Sequence, residues 1–491
     1  MANKEQQVKN SFIYLLPLIV SSIFPFIALP IFTRILTKEE YGILALAQIY
    51  AIFVSGFANF GMAASYDRNY FKYRNDICKA AELLFSTLSF VMSNFLILAI
   101  PTYFFRGEFA KLIIGDFRYG NILFWSYFAQ FFSTISYYYY SYFKNTEMAK
   151  SFATYTIVGS LSNFAISIFL VAYLRIGVLG IIYAQLSSGI IVFGILSYKF
   201  VTRLSFSLNK SILFESLKIS YPLTPTIFFG VIGTHFNKYI IGLLASLGGV
   251  GIYSIAQKVA SLVFIYMTSL QNVFSPQVYK RMFDLNENGG QSAGVYLTPF
   301  IYISTALAMM IAIFSEEIIY ILTPLSYHGA TDIVTILSMY YGFLFFGKIT
   351  PMQLIYSKKT YLCTVLSMVN IGLNVILNVF FIIKWGVIGA AWGTFLAAII
   401  SGSISIAVSQ RYYEIKWEYK KTGSIFFIFF ASAIIMILMR HFTVAYNIRL
   451  IVKCAAIFYY VYLGIKIKVI TMENYTLIKK IIPVRRTVTS D

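Results

Sequence analysis

The sequence predicts an all-α, polytopic membrane protein of about 14 transmembrane helices, built as two six-helix repeats of parallel orientation plus two C-terminal helices. Three observations predict it. Hydrophobic residues make up 59% of the 491-residue chain and charged residues 12%, about half the charge of an ordinary soluble domain. Apolar runs of about 20 residues recur along the whole length, each long enough to cross a hydrocarbon core about 30 Å thick. The chain also matches itself at one spacing of 209 residues. Tyr41-Gly42-Ile43-Leu44-Ala45-Leu46-Ala47-Gln48 lies over Val250-Gly251-Ile252-Tyr253-Ser254-Ile255-Ala256-Gln257, and Gly177-Val178-Leu179-Gly180 over Gly386-Val387-Ile388-Gly389. Two separate segments sharing one offset mark a duplicated unit.

The runs follow in order. The first, 11–32, carries Pro17, Pro25 and Pro30 and is closed by Arg34 and Lys38. Runs 42–65 and 82–105 are separated by a charged stretch. Run 119–142 ends in Tyr137-Tyr138-Tyr139-Tyr140, which reads as an aromatic belt at a membrane interface. Runs 152–174 and 177–198 meet at a short turn. A basic, partly amphipathic join at 199–218 (Lys199, Arg203, Lys210, Lys218) is expected to lie along the inner surface. The second repeat opens with 217–236, interrupted by Pro222 and Pro225, and continues through 250–272, 294–315, 331–350, 361–383 and 386–408. Prolines in both opening runs suggest bending helices beside a central cavity, although such kinks are also common in membrane helices. Runs 423–440 and 448–469 have no copy in the first half. The expected division is 1–209, 210–410 and 411–491, the last holding two helices and a basic tail (Lys479, Lys480, Arg485, Arg486).

A net charge of +20 suggests nucleic acid, but its distribution excludes that reading. Of the 39 Lys and Arg, 27 fall on one side of the predicted spans and 10 on the other, which is the positive-inside pattern. Both termini are therefore expected in the cytoplasm, with the tail anchored at an anionic leaflet. The first run is too long for a signal peptide and lacks a small-residue cleavage site after it. Cys78, Cys363 and Cys454 suggest no disulfide framework. His235, His328 and His441 are scattered, so neither metal nor cofactor is expected. No loop is long enough for a folded catalytic domain, and no enzymatic activity is expected.

The candidate binding residues lie inside the spans. Lys258 sits about 12 Å from the outer end of its helix, where a charge costs about 2.5–3.5 kcal/mol. Ser254, Ser261 and Thr268 share its face, so it is expected to face a polar interior. Snorkelling or a bond between helices is the alternative. Lys453, nearer a span end, is expected to snorkel to the interface. Arg34 either steers an anionic group or anchors its helix. Asn370, Asn374 and Asn378 form an i, i+4, i+8 stripe, extended by Ser367. Ser160, Asn163 and Ser167 repeat the pattern in the first half, joined by Ser126, Gln130, Ser133 and Tyr137. Amides and hydroxyls offer both donors and acceptors, as sugars require, yet the same groups also bond helix to helix for about 0.6 kcal/mol each. All 19 Asp and Glu lie in loops or near span ends. Glu82, Glu316, Glu317 and Asp332 approach the spans most closely.

The stretch Leu29-Pro30-Ile31-Phe32-Thr33-Arg34-Ile35-Leu36-Thr37-Lys38-Glu39-Glu40-Tyr41-Gly42 resembles the first-loop signature of the O-antigen and capsule flippases. These are the polysaccharide exporters of the multidrug/oligosaccharidyl-lipid/polysaccharide superfamily. Gly251 to Gln257 and Asn374 to Gly389 resemble the matching second-half segments. With the twelve-plus-two layout, the resemblance covers nearly the whole chain. Together the motifs are fairly specific for the family and not for the sugar. One departure concerns the end of the seventh run, where relatives often carry an acid before a basic residue and this chain reads Asn237-Lys238. Coupling to a cation through that acid is thereby put in doubt.

The resemblance implies transport of an undecaprenyl-pyrophosphate-linked oligosaccharide from the inner to the outer leaflet of a bacterial cytoplasmic membrane. Membrane lipids, a polysaccharide polymerase and a chain-length regulator are the implied partners. Alternating access would proceed by rocking of one half against the other. Lys258, with Arg34, would meet the pyrophosphate, and Gln130, Asn163, Asn370, Asn374 and Asn378 the sugars. A multidrug or cation antiporter of the same superfamily is the alternative, disfavoured by an acid-free interior. A membrane enzyme of glycan polymerisation is a third.

Overall fold

Helices carry the chain throughout: a computed structural model describes residues 4–201, 207–285 and 289–469, and no strand occurs among them. The helices are α1 (Lys4–Ile35), α2 (Lys38–Asn59), α3 (Met62–Tyr73), α4 (Ile77–Phe104), α5 (Arg106–Ile113), α6 (Gly120–Asn145), α7 (Ala149–Ile168, continued by a π turn to Tyr173), α8 (Val178–Val201), α9 (Lys210–Ser220), α10 (Thr224–Leu244) and α11 (Leu247–Asp284). They are followed by α12 (Gly289–Ile313), α13 (Ser315–Leu322), α14 (Ala330–Tyr356), α15 (Thr360–Tyr412), α16 (Tyr419–His441) and α17 (Tyr446–Lys466).

Among the described residues, ten helices are long and apolar enough to cross a membrane. One of them, the 53-residue α15, is two spans in one. Gly386 breaks it with φ 61° and ψ −139°, a conformation that only glycine adopts cheaply. The chain doubles back there, bringing Asn378 against Gly393. With α1, α6 and α10, this accounts for the fourteen segments read from the sequence.

Some boundaries differ for local reasons. The run 42–65 divides at Phe60-Gly61, both left-handed, into α2 and the amphipathic α3. Helix α3 packs along α9, where Asn69 donates to Ser216 Oγ at 2.9 Å and Lys72 pairs with Glu215 at 2.6 Å. The Lys72 ammonium and the Tyr73 hydroxyl hold the Glu215 carboxyl below its usual range. Helix α9 is the predicted join; Arg203, and the tail with Lys479, Lys480, Arg485 and Arg486, lie outside the described residues.

The prolines of the two halves play different parts, which corrects the expectation of matched interruptions. Pro17, Pro25 and Pro30 sit inside a continuous α1. Pro222 lies in a 3₁₀ turn after α9, and Pro225 in the first turn of α10. A missing N–H costs nothing there, since the first turn has no intrahelical acceptor for it. The seventh span therefore begins at Thr224.

The chain groups into two compact units. Unit 1 is Met1–Ser254 with Ile321–His328 and Trp385–Val387; unit 2 is Ile255–Tyr320, Gly329–Lys384 and Ile388–Asp491. The division falls inside α11.

Unit 1 has an aromatic core in which Tyr66, Phe95, Tyr127, Tyr138 and Phe143 are fully buried. Tyr138 and Tyr139 are thus packing residues, not an interfacial belt. Tyr138 donates to Asn59 Oδ1, and the Tyr139 hydroxyl lies 3.0 Å from Ser197 Oγ. The belt expectation fails because two successive tyrosines of one turn, Tyr138 and Tyr139, face the neighbouring helices α2 and α8.

At the α1–α2 end of unit 1, the sequence repeat becomes a backbone crossing. A Cβ on Gly42 would overlap the carbonyl oxygen of Leu247, and a Cβ on Gly251 would overlap that of Lys38. Gly42 and Gly251 are repeat partners, and so are Lys38 and Leu247, so the contact is reciprocal. Thr37 and Glu40 form a capping box that fixes the start of α2. Segment Ile321–His328 seals the same end. Tyr327 donates to Leu36 O at 2.8 Å, and Thr33 donates to Leu322 O at 3.1 Å.

Unit 2 is closed at its α13 end by ions. Lys453 is fully buried, 2.5 Å from Glu317 Oε1 and 3.5 Å from Glu316. Arg449 pairs with Glu316 at 3.1 Å, and Arg440 with Asp332 at 2.7 Å. The snorkelling expected of Lys453 does not occur, because α13 presents two carboxylates to its buried ammonium.

Candidate functional site

A polar cavity lies wholly in unit 1, among α2, α6, α7 and α8, with a volume of about 460 Å3. Its walls come from helical faces that carry amides. Gln48 projects from α2, Gln130 from α6, Asn163 from α7 and Gln185 from α8. Serines and a threonine fill the spaces between them. Among the described residues that line it, Tyr140 contributes the one aromatic ring, and none is Asp, Glu, Lys, Arg or His. Gln130 Nε2 lies 3.3 Å from Thr134 Oγ1. Asn163 Oδ1, Ser126 Oγ and Ser136 Oγ are buried at this cavity without a hydrogen-bond partner. Such a wall can exchange hydrogen bonds with a neutral, hydroxyl-rich guest and offers no counter-charge to an ion.

A second cavity, of about 210 Å3, occupies the equivalent place in unit 2, among α14 and the two arms of α15. Ala398 and Ser401 line it, the repeat partners of Gly189 and Val192 in the first cavity. Its polar groups are fewer. Asn370 lines it and accepts a bond from Ser401 Oγ at 2.9 Å.

The asparagine stripe is thus divided by the structure. Asn370 reaches a cavity. Asn374 lends its backbone carbonyl to Asn378 Nδ2 at 2.8 Å, and Asn378 is fully buried against the returning arm of α15. Asn374 and Asn378 each keep an unpaired side-chain oxygen. Gln130 and Asn163 are brought together; Asn370, Asn374 and Asn378 do not join them in that cavity.

Lys258 stands exposed on α11 in unit 2, without an ion-pair or hydrogen-bond partner for its ammonium among the described residues. Two of the hydroxyls expected to share its face bond to carbonyls of their own helix, and Ser254 Oγ is buried without a partner. Ser261 donates to Lys258 O at 2.8 Å and Thr268 to Phe264 O at 2.9 Å, both within α11. Arg34 is engaged otherwise. It donates to Pro30 O at 2.7 Å and reaches Ile321 O at 3.4 Å, both backbone carbonyls of unit 1.

Three residues of interest were missed by the sequence reading. Gln48 belongs to the repeat motif and was read only as a marker of duplication. Gln185 was hidden among the apolar residues of its span. Lys348, counted with a loop, lies within α14, its ammonium 4.6 Å from the centre of the Phe264 ring. An unpaired amide or amine inside an apolar run was the available signal for all three.

Comparison with known proteins identifies the family. Residues 7–279, more than half of the chain, match the family described as polysaccharide biosynthesis protein. The chain belongs to that family. No curated protein sequence matches it. Among solved structures it is similar to the lipid II flippase MurJ in an inward closed conformation, with a TM-score of 0.70 and 16% identity over 95% of this chain and 100% of that one. It is also similar to an inward-facing multidrug resistance MATE family transporter of the MOP superfamily, with a TM-score of 0.62 and 15% identity over 82% and 99%. A third likeness is to the Vibrio cholerae MATE transporter VcmN, with a TM-score of 0.56 and 14% identity over 83% and 96%. At these identities the likeness is one of fold.

Proposed function

We propose that the protein is a flippase that carries an undecaprenyl-pyrophosphate-linked oligosaccharide from the inner to the outer leaflet of a bacterial cytoplasmic membrane. The unit 1 cavity carries the reading: amides and hydroxyls from apolar helices line it, and no acid is among its described lining residues. Moving a charged, hydrated headgroup through hydrocarbon costs tens of kcal/mol by idealised Born reasoning. A protein that replaces water around the sugars and balances the pyrophosphate lowers that cost while the lipid tail stays in the bilayer. Gln130 and Asn163 take the glycan, with Asn370, Asn374 and Asn378 serving the second repeat. Lys258 supplies positive charge to the pyrophosphate, and Arg34 guides it at the outer end.

Family membership and the MurJ-like fold support this reading. The repeats 1–209 and 210–410 would rock against each other, with 411–491 as an appendage and both termini cytoplasmic. A polymerase and a chain-length regulator would act on the delivered glycan. A multidrug antiporter is disfavoured, since the cavity offers an organic cation no carboxylate.

Deleting the gene in its native bacterium and measuring surface glycan tests the function. Loss of the glycan, restored by the wild-type gene and restored to less than a tenth by Lys258→Ala, is the expected result. Intact glycan after deletion would overturn the function, and full restoration by Lys258→Ala would remove that residue's role.

A further inference from the structure

The unit 1 cavity has a property that flipping as such does not require. A flippase needs to carry a pyrophosphate, yet the described residues lining this cavity include no charged one and hold three unpaired polar atoms. Ser126 is 3% exposed and Ser136 4%, and their hydroxyl oxygens, with Asn163 Oδ1, lack partners. Each such atom costs about 1–3 kcal/mol when buried unpaired. Three of them at one cavity point to a guest that brings its own hydrogen bonds.

The chemistry of that guest follows from the wall. Gln48, Gln130, Gln185 and Asn163 each present two donors and an acceptor oxygen. A pyranose hydroxyl donates and accepts at once, so it can use either end of an amide. At about 460 Å3 the cavity falls within the usual range of small-molecule sites. Tyr140 offers a flat ring for the apolar face of a sugar. A uronic acid or an amino sugar would bring a charge that nothing in the wall neutralises, and an isolated buried ion is penalised by several kcal/mol.

We propose that this cavity is a subsite for one uncharged sugar of the transported glycan, and that its neutrality discriminates against acidic sugars. The proposal rests on the flippase reading and names the class of sugar. It separates two tasks: unit 1 reads the sugar, and the pyrophosphate is met by positive charge elsewhere. The unit 2 cavity, smaller and already bonded across itself by Asn370 and Ser401, does not take part in this selection.

The test measures binding of three lipids to the purified full-length protein in detergent: undecaprenyl pyrophosphate alone, the same lipid bearing one neutral hexose, and the same lipid bearing one uronic acid. The hexose form is expected to bind at least tenfold more tightly than either of the others. Asn163→Leu with Gln185→Leu should shrink that advantage to less than threefold. Gln130→Arg should turn the preference toward the uronic acid. Ser126→Ala with Ser136→Ala guards against misfolding, because removing unpaired hydroxyls should leave the melting temperature unchanged or higher while the hexose advantage falls. Equal binding of all three lipids, or a hexose advantage that survives every variant, would overturn the proposal and leave the flippase reading standing. Failure to bind any of the three would overturn the flippase reading and the proposal with it.

Discussion

Unit 1 and unit 2 each close an end and shape a cavity, and they do both differently. In unit 1 the end is held by backbone meeting backbone, with Gly42 on the Leu247 carbonyl and Gly251 on that of Lys38. In unit 2 it is held by buried ions, with Lys453 between Glu316 and Glu317 and Arg440 on Asp332. The unit 1 cavity is about 460 Å3, lined by four amides, with three polar atoms left unpaired; that of unit 2 is about 210 Å3 and partly satisfied internally. The repeat is preserved where two backbones touch, because any side chain there overlaps a carbonyl. It diverges where side chains face a cavity, because packing does not fix their identity.

The largest expected effect breaks the ionic end of unit 2. Lys453→Ala leaves Glu317 without its cation and Glu316 with Arg449 alone, at about 3–5 kcal/mol, seen as a fall in melting temperature of the purified protein. Adding Glu317→Gln to Lys453→Met should recover much of that loss, since the unpaired charge goes with the cation while Glu316 keeps Arg449. A double variant no better than Lys453→Ala would mean that packing, not charge, holds this end.

The glycine crossing of unit 1 comes next. Gly42→Ala and Gly251→Ala should each cost about 1–3 kcal/mol by overpacking, and the two losses should match. Markedly unequal melting temperatures would break the twofold equivalence of the crossing. The smallest effect sharpens the contrast between the cavities. Ser401→Ala removes one bond to Asn370, worth about 0.5–1.5 kcal/mol of stability, and transport in reconstituted liposomes should change less than twofold. A transport loss as deep as that of the unit 1 cavity variants would make the two cavities functional equals.

Much of the fold was legible in the sequence because each span needs only enough apolar residues to cross a bilayer. The turn at Gly386 was visible in the repeat motif, and the paired amides Gln130 and Asn163 in their spacing. Other features were hidden. Gln48 and Gln185 join Gln130 and Asn163 only through the packing of four helices, which no period within a single helix reveals. Lys453 looked like a snorkelling residue because its carboxylate partners lie 136 and 137 positions away. Tyr138 and Tyr139 looked interfacial because a run of tyrosines carries no mark of which ring faces a neighbour.

By itself the sequence determined that this chain lives in a membrane, that it is doubled, and that acids stay out of its spans. Those facts follow from the cost of polar groups in hydrocarbon, which acts on every residue wherever its neighbours lie. Only the tertiary structure decided which amides share a cavity, which asparagines bond to their own helix, and which lysine is already paired. These depend on distances between helices remote in sequence, and a hydrogen bond lost or gained over an ångström decides whether a polar side chain is scaffold or site.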